Sequence, residues 1–388
     1  MKTLLERREA ARDGRNVDPG LGTLAGEGAE QRVRRLDAGH SERRVMAPPE
    51  PELEGRPSYY GMPLLKEPVW KWFIPAYFYV GGVSGASAVL GAASDLLGPR
   101  GTRALSRRCR LTAAAGAGAS AALLIADLGR PARFLNMLRV FRPTSPMNVG
   151  TWILSGFGAA TAAAAGAALL PVGPGARRAG DAAAAVAGLC GLGLTGYTGV
   201  LIANTAVPLW QGTRRALPVL FSCSGAAAAT ALLELFPPGD RSEPVVRRFG
   251  VLANVSELVM TGVLEAEAGV VPRVARPLRT GISGALWRAG QALSLASLAL
   301  TLGSRGRRSL RRAAGLCGTA GSLALRFAIY QAGRRSALDP HASFEQQRRG
   351  RGAADVVRAQ PGLDRALGEK GAEPPATPTL HDPGLAHP

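Results

Sequence analysis

Four polar residues recur at helical spacing inside an otherwise apolar stretch, VLANVSELVMTGVLEAEAGV, which covers residues 251–270. Asn254, Glu257, Thr261 and Glu265 are three to four positions apart, which places them on one face of an α-helix. A charged side chain at the centre of a membrane helix costs about 2.5–3.5 kcal/mol on insertion scales, so such residues usually face a bundle interior and serve a function. The stripe therefore predicts a proton path that includes Glu257, Thr261 and Glu265.

An arginine in a later apolar stretch offers a counter-charge to these carboxylates. Arg326 lies inside LALRFAIYQAG, residues 323–333, and we expect its guanidinium to pair with Glu257 or Glu265. Two interpretations of this pair stay open. The pair either fixes the register of two helices, or it belongs to the path along which the carboxylates carry protons.

A tyrosine and an asparagine share a face of another apolar stretch, GLTGYTGVLIANTAVPLW, which covers residues 193–210. Tyr197 and Asn204 are seven positions apart, so they lie two helical turns from one another on the same side. A phenol and a carboxamide can both form hydrogen bonds with the carbonyl oxygens of a quinone. The alternative is a tyrosine whose hydroxyl only bonds a neighbouring helix.

The sequence lacks the residue patterns that hold redox metals in membrane helices. Its four cysteines form no CxxC pair, and all four histidines lie in the polar ends of the chain. Iron-sulfur clusters need closely spaced thiolates, and membrane haems need imidazoles on helices. We therefore expect no haem and no iron-sulfur cluster in this chain, so any electron transfer would need a diffusible organic carrier.

The chemistry-bearing stretches belong to a larger set of apolar segments, each long enough to approach the roughly 20 residues of a membrane helix. Abundant Gly, Ala and Ser predict helices that pack closely through small faces. The pattern predicts an all-α integral membrane protein with eight transmembrane helices. The segments are 72–96, 111–127, 148–170, 182–207, 217–236, 249–271, 283–304 and 313–332.

The two ends of the chain differ from this apolar middle. Residues 1–56 and 340–388 are polar and rich in Arg, Glu, Gly and Pro, which predicts disordered extensions. The net charge of +19 does not indicate nucleic-acid binding, because the arginines cluster in short loops and in the tails without a recognition motif. Loops after the first, third, fifth and seventh segments carry more arginines than the others, which predicts that they are cytoplasmic and that both termini lie outside.

Five stretches resemble the integral membrane subunit of polysulfide reductase and its relatives, the NrfD/PsrC type. They are WKWFIPAYFYVGG, DLGRPARFLNML, PTSPM, YTGVLIANTAVPLW and LRFAIYQAG, and they follow the order of that family over residues 57–339. The resemblance implies eight helices arranged as two four-helix bundles in a bacterial inner (plasma) membrane. It also implies electron exchange with menaquinone or ubiquinone, a ferredoxin-like iron-sulfur subunit as partner, and a molybdopterin catalytic subunit beyond it.

The resemblance also implies roles for individual residues. Tyr197 falls on the family's quinone-contacting tyrosine, and Tyr77 falls where some relatives place a quinone-contacting histidine. A phenol exchanges protons less readily near neutral pH than an imidazole does. The loop region that follows Ala126 corresponds to an outer loop near the iron-sulfur partner. The expected partner contacts in it are Asp127, Arg130, Arg133 and Arg139.

The sequence thus favours a quinone-reactive membrane subunit of a respiratory oxidoreductase, with terminal catalysis on a partner chain. Two other classes stay open. Intramembrane Glu and Arg on helices interrupted by glycine would also suit a secondary transporter. A passive anchor, which tethers its partner and has no quinone site, would need none of these polar groups for chemistry.

Overall fold

The computed structural model describes residues 63–98, 101–128, 132–236, 242–304 and 306–351, with only the backbone described at 132 and 133. It also describes two short antiparallel strands, β1 (Asn16–Asp18) and β2 (Thr23–Ala25), paired with Asn16 opposite Ala25. These strands lie within the extension that the sequence predicts to be disordered. The other residues of that extension lie outside the described ranges.

From residue 63 onward, the described regular structure is α-helical. Four helices are short: α3 (Ala132–Leu138), α6 (Pro208–Gly212), α9 (Pro272–Arg279) and α12 (Pro340–Arg348). The long helices in the described residues are α1 (Phe73–Leu97), α2 (Arg103–Leu128), α4 (Pro146–Leu169), α5 (Pro174–Ala203), α7 (Ala216–Leu235), α8 (Glu243–Gly269), α10 (Gly281–Gly303) and α11 (Arg308–Ala337).

Each long helix coincides with one of the apolar segments of the sequence. Seven of those in the described residues, all except α10, are long and apolar enough to cross a membrane. Helix α10 has 23 residues but carries Arg288 and Gln291 in its first half. The chain is therefore a multi-pass helical membrane protein, and a crossing by α10 stays a prediction.

Several arginine-rich stretches that the sequence placed in loops are the first turns of long helices. Helix α2 begins at Arg103, α5 at Pro174 and α11 at Arg308, each well before the apolar segment that it contains. Crossing the hydrocarbon takes about 20 residues, and these helices have 26 to 30. Their extra turns carry the arginines that sequence patterning counted as loop charge.

Helix packing follows two rings of neighbours. Helix α1 packs against α2 and α5, and α4 packs against the same two helices. Helix α7 packs against α8 and α11, and α10 packs against the same two. Helix α7 also contacts α1 and α5, and α11 contacts α1, so these four helices join the two rings.

The contact between α1 and α5 depends on two glycines. A Cβ atom on Gly191 would lie 2.5 Å from the carbonyl oxygen of Gly85, and a Cβ on Gly85 would lie 2.8 Å from that of Gly191. One turn further along, Gly188 faces Ala92, so the two helices run antiparallel. Small residues at such a crossing let the backbones approach, as is common between membrane helices.

We expect Gly191→Ala to destabilise this crossing by about 1–3 kcal/mol, because the added methyl group meets backbone atoms that cannot rotate away. The measurement is the melting temperature of the purified protein in detergent. The matched control is Gly193→Ala on the same helix, where a Cβ atom meets nothing within 4 Å. Equal melting temperatures for the two variants would contradict the close packing of α1 on α5.

The predicted C-terminal disorder does not extend to residues 340–348, which form α12. Asp339 caps this helix, since its Oδ1 accepts hydrogen bonds from the backbone of His341 at 3.1 Å and of Ala342 at 3.4 Å. Its carboxylate also pairs with Arg273 at 3.0 Å. A helix of this length gains its stability from such a cap and from packing, which sequence composition does not register. Residues 352–388 lie outside the described ranges.

Candidate functional site

The two candidate tyrosines lie at the same end of the α1–α5 pair. Tyr77 lies two turns before Gly85, and Tyr197 lies less than two turns after Gly191. Because the helices are antiparallel and meet at these glycines, both tyrosines lie on one side of the crossing. The two phenol groups lie close enough for a charge on one to affect the other. We call this end of the protein, where α1 begins and α5 ends, the Tyr77 end.

The two phenols have different surroundings. Tyr77 is buried, with 3% of its surface exposed, and its hydroxyl makes no hydrogen bond to a described residue. Tyr197 is half-buried, and its hydroxyl donates to the carbonyl oxygen of Pro146 at the start of α4. Its ring packs directly on Gly150, where a Cβ atom would lie 2.0 Å from the Tyr197 Cζ. Gly150 therefore provides the space that the Tyr197 ring occupies.

Asn148 holds the loop in front of Tyr197. Its Nδ2 donates to the carbonyl oxygens of Met137 at 2.6 Å and Val140 at 3.0 Å, and its Oδ1 accepts from the backbone of Arg142 at 2.7 Å. Ser145 caps α4 by accepting from the backbone of Asn148 at 3.4 Å. The Pro-Thr-Ser-Pro stretch is thus an ordered turn, and Asn148 is a residue whose role the sequence reasoning missed.

Asn204 lies at the C-terminal end of α5, exposed, and its Nδ2 donates to the carbonyl oxygen of Val200 at 2.8 Å. One of its two amide hydrogens is therefore used in a hydrogen bond to the last turn of its own helix. Two clefts in the described residues, of about 680 and 740 Å³, are lined by residues other than Tyr77, Tyr197 and Asn204.

Two of the four predicted partner contacts, Asp127 and Arg139, have described positions before and after α3. Asp127 is half-buried near the end of α2 and within electrostatic reach of Lys71. Arg139 is exposed after α3. Arg130 and the side chain of Arg133 lie outside the described residues.

The polar stripe of α8 faces the helix bundle, as the sequence predicts. Glu257 is completely buried, and its carboxylate accepts hydrogen bonds from the hydroxyls of Ser294 at 2.8 Å and Ser322 at 3.2 Å. Thr261 is also buried, with its hydroxyl bonded to the Leu258 carbonyl oxygen at 2.7 Å. Glu257 thus joins α8 to α10 and α11 near the middle of all three helices.

The expected ion pair between Arg326 and Glu257 or Glu265 is absent from the described contacts. The Nη2 of Arg326 donates to the carbonyl oxygen of Phe221 at 2.8 Å, and its guanidinium carbon lies 3.8 Å from the centre of the Phe221 ring. A Cβ atom on Gly82 would lie 3.3 Å from Nη2. The absence of a side chain at Gly82 leaves room for the guanidinium at the junction of α1, α7 and α11.

Arg326 and Glu257 still interact electrostatically, over a distance longer than that of an ion pair. Its Nε and Nη1 are buried without a hydrogen-bond partner among the described residues. Glu265 instead accepts hydrogen bonds from Trp287 Nε1 and from Gln291 Nε2, the second at 2.8 Å. The carboxylates of α8 therefore have separate partners, with Glu265 bound to α10 alone.

An arginine near the opposite end of the protein forms a cluster that the sequence reasoning did not identify. Arg110 near the start of α2 contacts Asp95 of α1 at 2.8 Å and Asp181 of α5 at 2.6 Å. Arg110 and Asp181 lie directly before the apolar segments 111–127 and 182–207, and Asp95 lies at the end of the apolar segment 72–96. The sequence signal that could have identified this cluster is the presence of acidic residues next to the basic stretches between the apolar segments.

A second arginine cluster lies in the other ring of helices. Arg311 of α11 contacts Glu234 of α7 at 2.6 Å and Glu243 of α8 at 3.0 Å, and Glu234 and Arg311 are both buried. Arg108 of α2 donates to the carbonyl oxygen of Phe236 at 2.7 Å, which places both clusters at the same end. The two clusters hold the ends of neighbouring helices together at the end of the protein opposite the Tyr77 end.

Comparison with known proteins agrees with this arrangement. No curated protein matches it. Residues 57–339, which include every helix from α1 to α11, match the NrfD family described as polysulfide reductase. The matched range is the same range in which the sequence motifs resemble that family. The chain therefore belongs to the NrfD-type polysulfide reductase family of membrane proteins.

Proposed function

We propose that this protein is the quinone-reactive membrane subunit of a respiratory oxidoreductase, passing electrons between membrane quinone and an iron-sulfur partner subunit. Family membership and a multi-pass helical structure support this function. The observation that carries it is the juxtaposition of Tyr77 and Tyr197 at the end of the α1–α5 crossing. Menaquinone or ubiquinone would be the carrier.

The two hydroxyls fit the two oxygens of a quinone head group in different ways. The Tyr77 hydroxyl has no hydrogen-bond partner among the described residues, so it can donate to a carbonyl oxygen. The Tyr197 hydroxyl donates to Pro146 but retains lone pairs that can accept from a quinol hydroxyl. A bound quinol supplies two electrons and two protons. Asn204 is a weaker third contact, through its amide oxygen.

A line of polar groups, some buried and some half-buried, runs from Tyr79 on α1 into the second ring of helices. Tyr79 lies two residues beyond Tyr77 on α1 and interacts electrostatically with Arg326, which in turn interacts with Glu257. Glu257, Thr261 and Glu265 continue along one face of α8. We propose that this line holds and moves protons, with Arg326 keeping a positive charge where α1, α7 and α11 meet.

The proposed function implies an arrangement in the membrane. The two rings of helices would be two four-helix bundles, with α10 as the eighth crossing helix. The loops between apolar segments at the end opposite Tyr77, which carry more arginines than the other loops between segments, would face the cytoplasm of a bacterial cell. The Tyr77 end and both termini would then lie on the outer side of the inner (plasma) membrane.

The partner would dock on the Tyr77 end, close to the tyrosines. Exposed Arg139 and its neighbours Arg130 and Arg133 would meet acidic groups of a ferredoxin-like iron-sulfur subunit, with Asp127 beside them. A molybdopterin subunit would carry out the terminal reaction. Family membership implies association with other subunits at a membrane, and these specific partners are proposed.

Tyr197→Phe tests the quinone site. We expect kcat/KM for quinol oxidation to fall about fivefold, because one hydrogen bond of about 1 kcal/mol is lost and Tyr77 alone then orients the head group. The measurement is quinol oxidation by the complex purified with its partner subunits.

Tyr330→Phe is the matched control, because its hydroxyl also donates to a backbone carbonyl oxygen, that of Trp70, at the same end. An equal loss of activity in both variants would assign Tyr197 a structural role. Unchanged kinetics in Tyr197→Phe would remove this residue from the site.

A passive anchor is the second candidate, and the bond from Tyr197 to Pro146 favours it, because that bond gives the phenol a purely structural use. An anchor would assemble with its partners yet show no saturable quinol oxidation in the wild-type complex. A secondary transporter would use the Glu257 cluster without a partner. Transport by the purified chain in vesicles would support that alternative.

A further inference from the structure

A cleft of about 680 Å³ opens at the Tyr77 end, away from the tyrosines. Its walls come from three parts of the chain: the turn between α6 and α7, the last turns of α8, and the residues that follow α12. One wall is apolar and includes Met260 and Val263 of α8 and Val270, which directly follows that helix. The other is basic. This combination is typical of a site for an amphipathic molecule.

The apolar wall is the end of a stripe that faces lipid. Val263 and Val270 continue a row of exposed apolar residues on α8 that begins with Leu252, Val255 and Val259. The row lies opposite the buried face that carries Glu257. From Leu252 to Val270 the helix rises about 27 Å, close to the roughly 30 Å of a hydrocarbon core. The cleft therefore lies at the level of the lipid headgroups.

The basic rim gathers four guanidinium groups at that level, and one carboxylate lies among them. Glu267 has its Oε2 engaged by the backbone N–H of Ala216 at 2.9 Å. Arg349 donates to the carbonyl oxygen of Val270, which holds its guanidinium beside the apolar wall. The four arginines are Arg214, Arg215, Arg349 and Arg351.

We propose that this cleft binds the phosphate of an anionic phospholipid, with an acyl chain along the exposed stripe of α8. Guanidinium groups recognise phosphate through paired hydrogen bonds. Among the described lining residues, Arg215, Arg349 and Arg351 already outnumber the single carboxylate, so the rim has a net positive charge. The apolar wall distinguishes a lipid from a free anion, because it extends down into the hydrocarbon. The site lies in the second ring of helices and does not depend on the proposed quinone chemistry.

A second groove provides the comparison. It is lined by α8 alone, by Glu243, Pro244, Arg247, Arg248, Val251, Leu252 and Val255, at the other end of the same stripe. It therefore has two arginines and a lipid-facing wall but no concave rim built from several elements. If anionic lipid is attracted only by surface arginines, it should bind at the cleft and at this groove alike. If the cleft is a specific site, the lipid should bind there and not at the groove.

The test uses the full chain, purified and stripped of lipid, titrated with phosphatidylglycerol, phosphatidylcholine or inorganic phosphate. Binding is followed by native mass spectrometry and by melting temperature. The variant is Arg215→Gln with Arg351→Gln, and the control is Arg247→Gln with Arg248→Gln. Each arginine near an anionic headgroup contributes about fivefold to binding, so we expect the first pair to weaken phosphatidylglycerol binding about 25-fold.

Support requires that phosphatidylglycerol binds more tightly than phosphatidylcholine, and that only the first pair of substitutions weakens it. Equal losses in both pairs would reduce the effect to surface charge and overturn the proposal. Equal stabilisation by inorganic phosphate would also overturn it, because the site would then take a free anion. No preference between the two lipids would overturn it as well.

Discussion

Gly150→Ala should lower quinol oxidation by about a hundredfold while the protein still inserts and assembles. The added Cβ atom would lie 2.0 Å from Cζ and 2.1 Å from the hydroxyl oxygen of Tyr197, so the ring has to leave its position. Displacing a positioning group by about 1 Å can cost about a hundredfold in rate. This loss exceeds the one expected for Tyr197→Phe, because the whole side chain moves.

Gly158→Ala is the matched control for that substitution. Gly158 lies two turns further along α4, and a Cβ atom there meets nothing within 4 Å. The same alanine should therefore leave both turnover and melting temperature unchanged. Wild-type turnover in Gly150→Ala would contradict the packing of Tyr197 on this glycine or its place in the site.

The double variant Gly150→Ala with Tyr197→Ala separates packing from chemistry. Removing the ring relieves the clash, so melting temperature should recover towards that of Tyr197→Ala alone. Turnover should stay low, because the phenol is absent. Recovery of turnover together with stability would show that the ring is not needed for quinol oxidation.

The positions of the helices were predictable from the sequence, because hydrophobic length and periodicity are local properties. The segment predicted at 217–236 is α7 (Ala216–Leu235), and the face that carries Glu257 and Thr261 is buried as its spacing indicates. The true helix starts were less predictable. Arginine-rich turns at the start of α2 or α11 extend a helix beyond the hydrocarbon, where hydropathy gives no signal.

The partners of the polar residues were not predictable from periodicity. Spacing shows that Arg326 lies on a helix, but the carbonyl oxygen of Phe221 that it bonds belongs to α7, more than a hundred positions away. Tyr197 likewise bonds a backbone carbonyl oxygen of another helix, that of Pro146 in α4, 51 positions away. A charge in an apolar segment suggests an opposite charge as partner, whereas a backbone carbonyl oxygen and an aromatic ring can also contact a guanidinium.

This geometry also explains why Glu257 should tolerate loss of its charge. Its direct partners are the hydroxyls of Ser294 and Ser322, which can rotate to accept from an amide. Arg326 keeps its bond to Phe221 whether or not Glu257 is charged. Glutamine should therefore replace Glu257 at a small cost in stability.

Glu257→Gln should slow proton-coupled quinol turnover about a hundredfold and lower the melting temperature only slightly. An amide cannot take up or release a proton near neutral pH, and general acid–base groups contribute about 10²–10⁴-fold to rate. The measurements are turnover of the purified complex in proteoliposomes, with internal pH recorded, and melting in detergent.

Glu234→Gln is the control, because it neutralises another buried carboxylate but lies in the ion pair with Arg311 at the opposite end. Breaking a buried ion pair costs about 3–5 kcal/mol, so this variant should lose stability. Its turnover per folded molecule should stay at the wild-type level. The opposite pattern, with Glu257→Gln unstable and active per folded molecule, would make Glu257 structural. Wild-type turnover and melting in Glu257→Gln would leave it neither role, and the polar line between Tyr79 and α8 would then carry no protons.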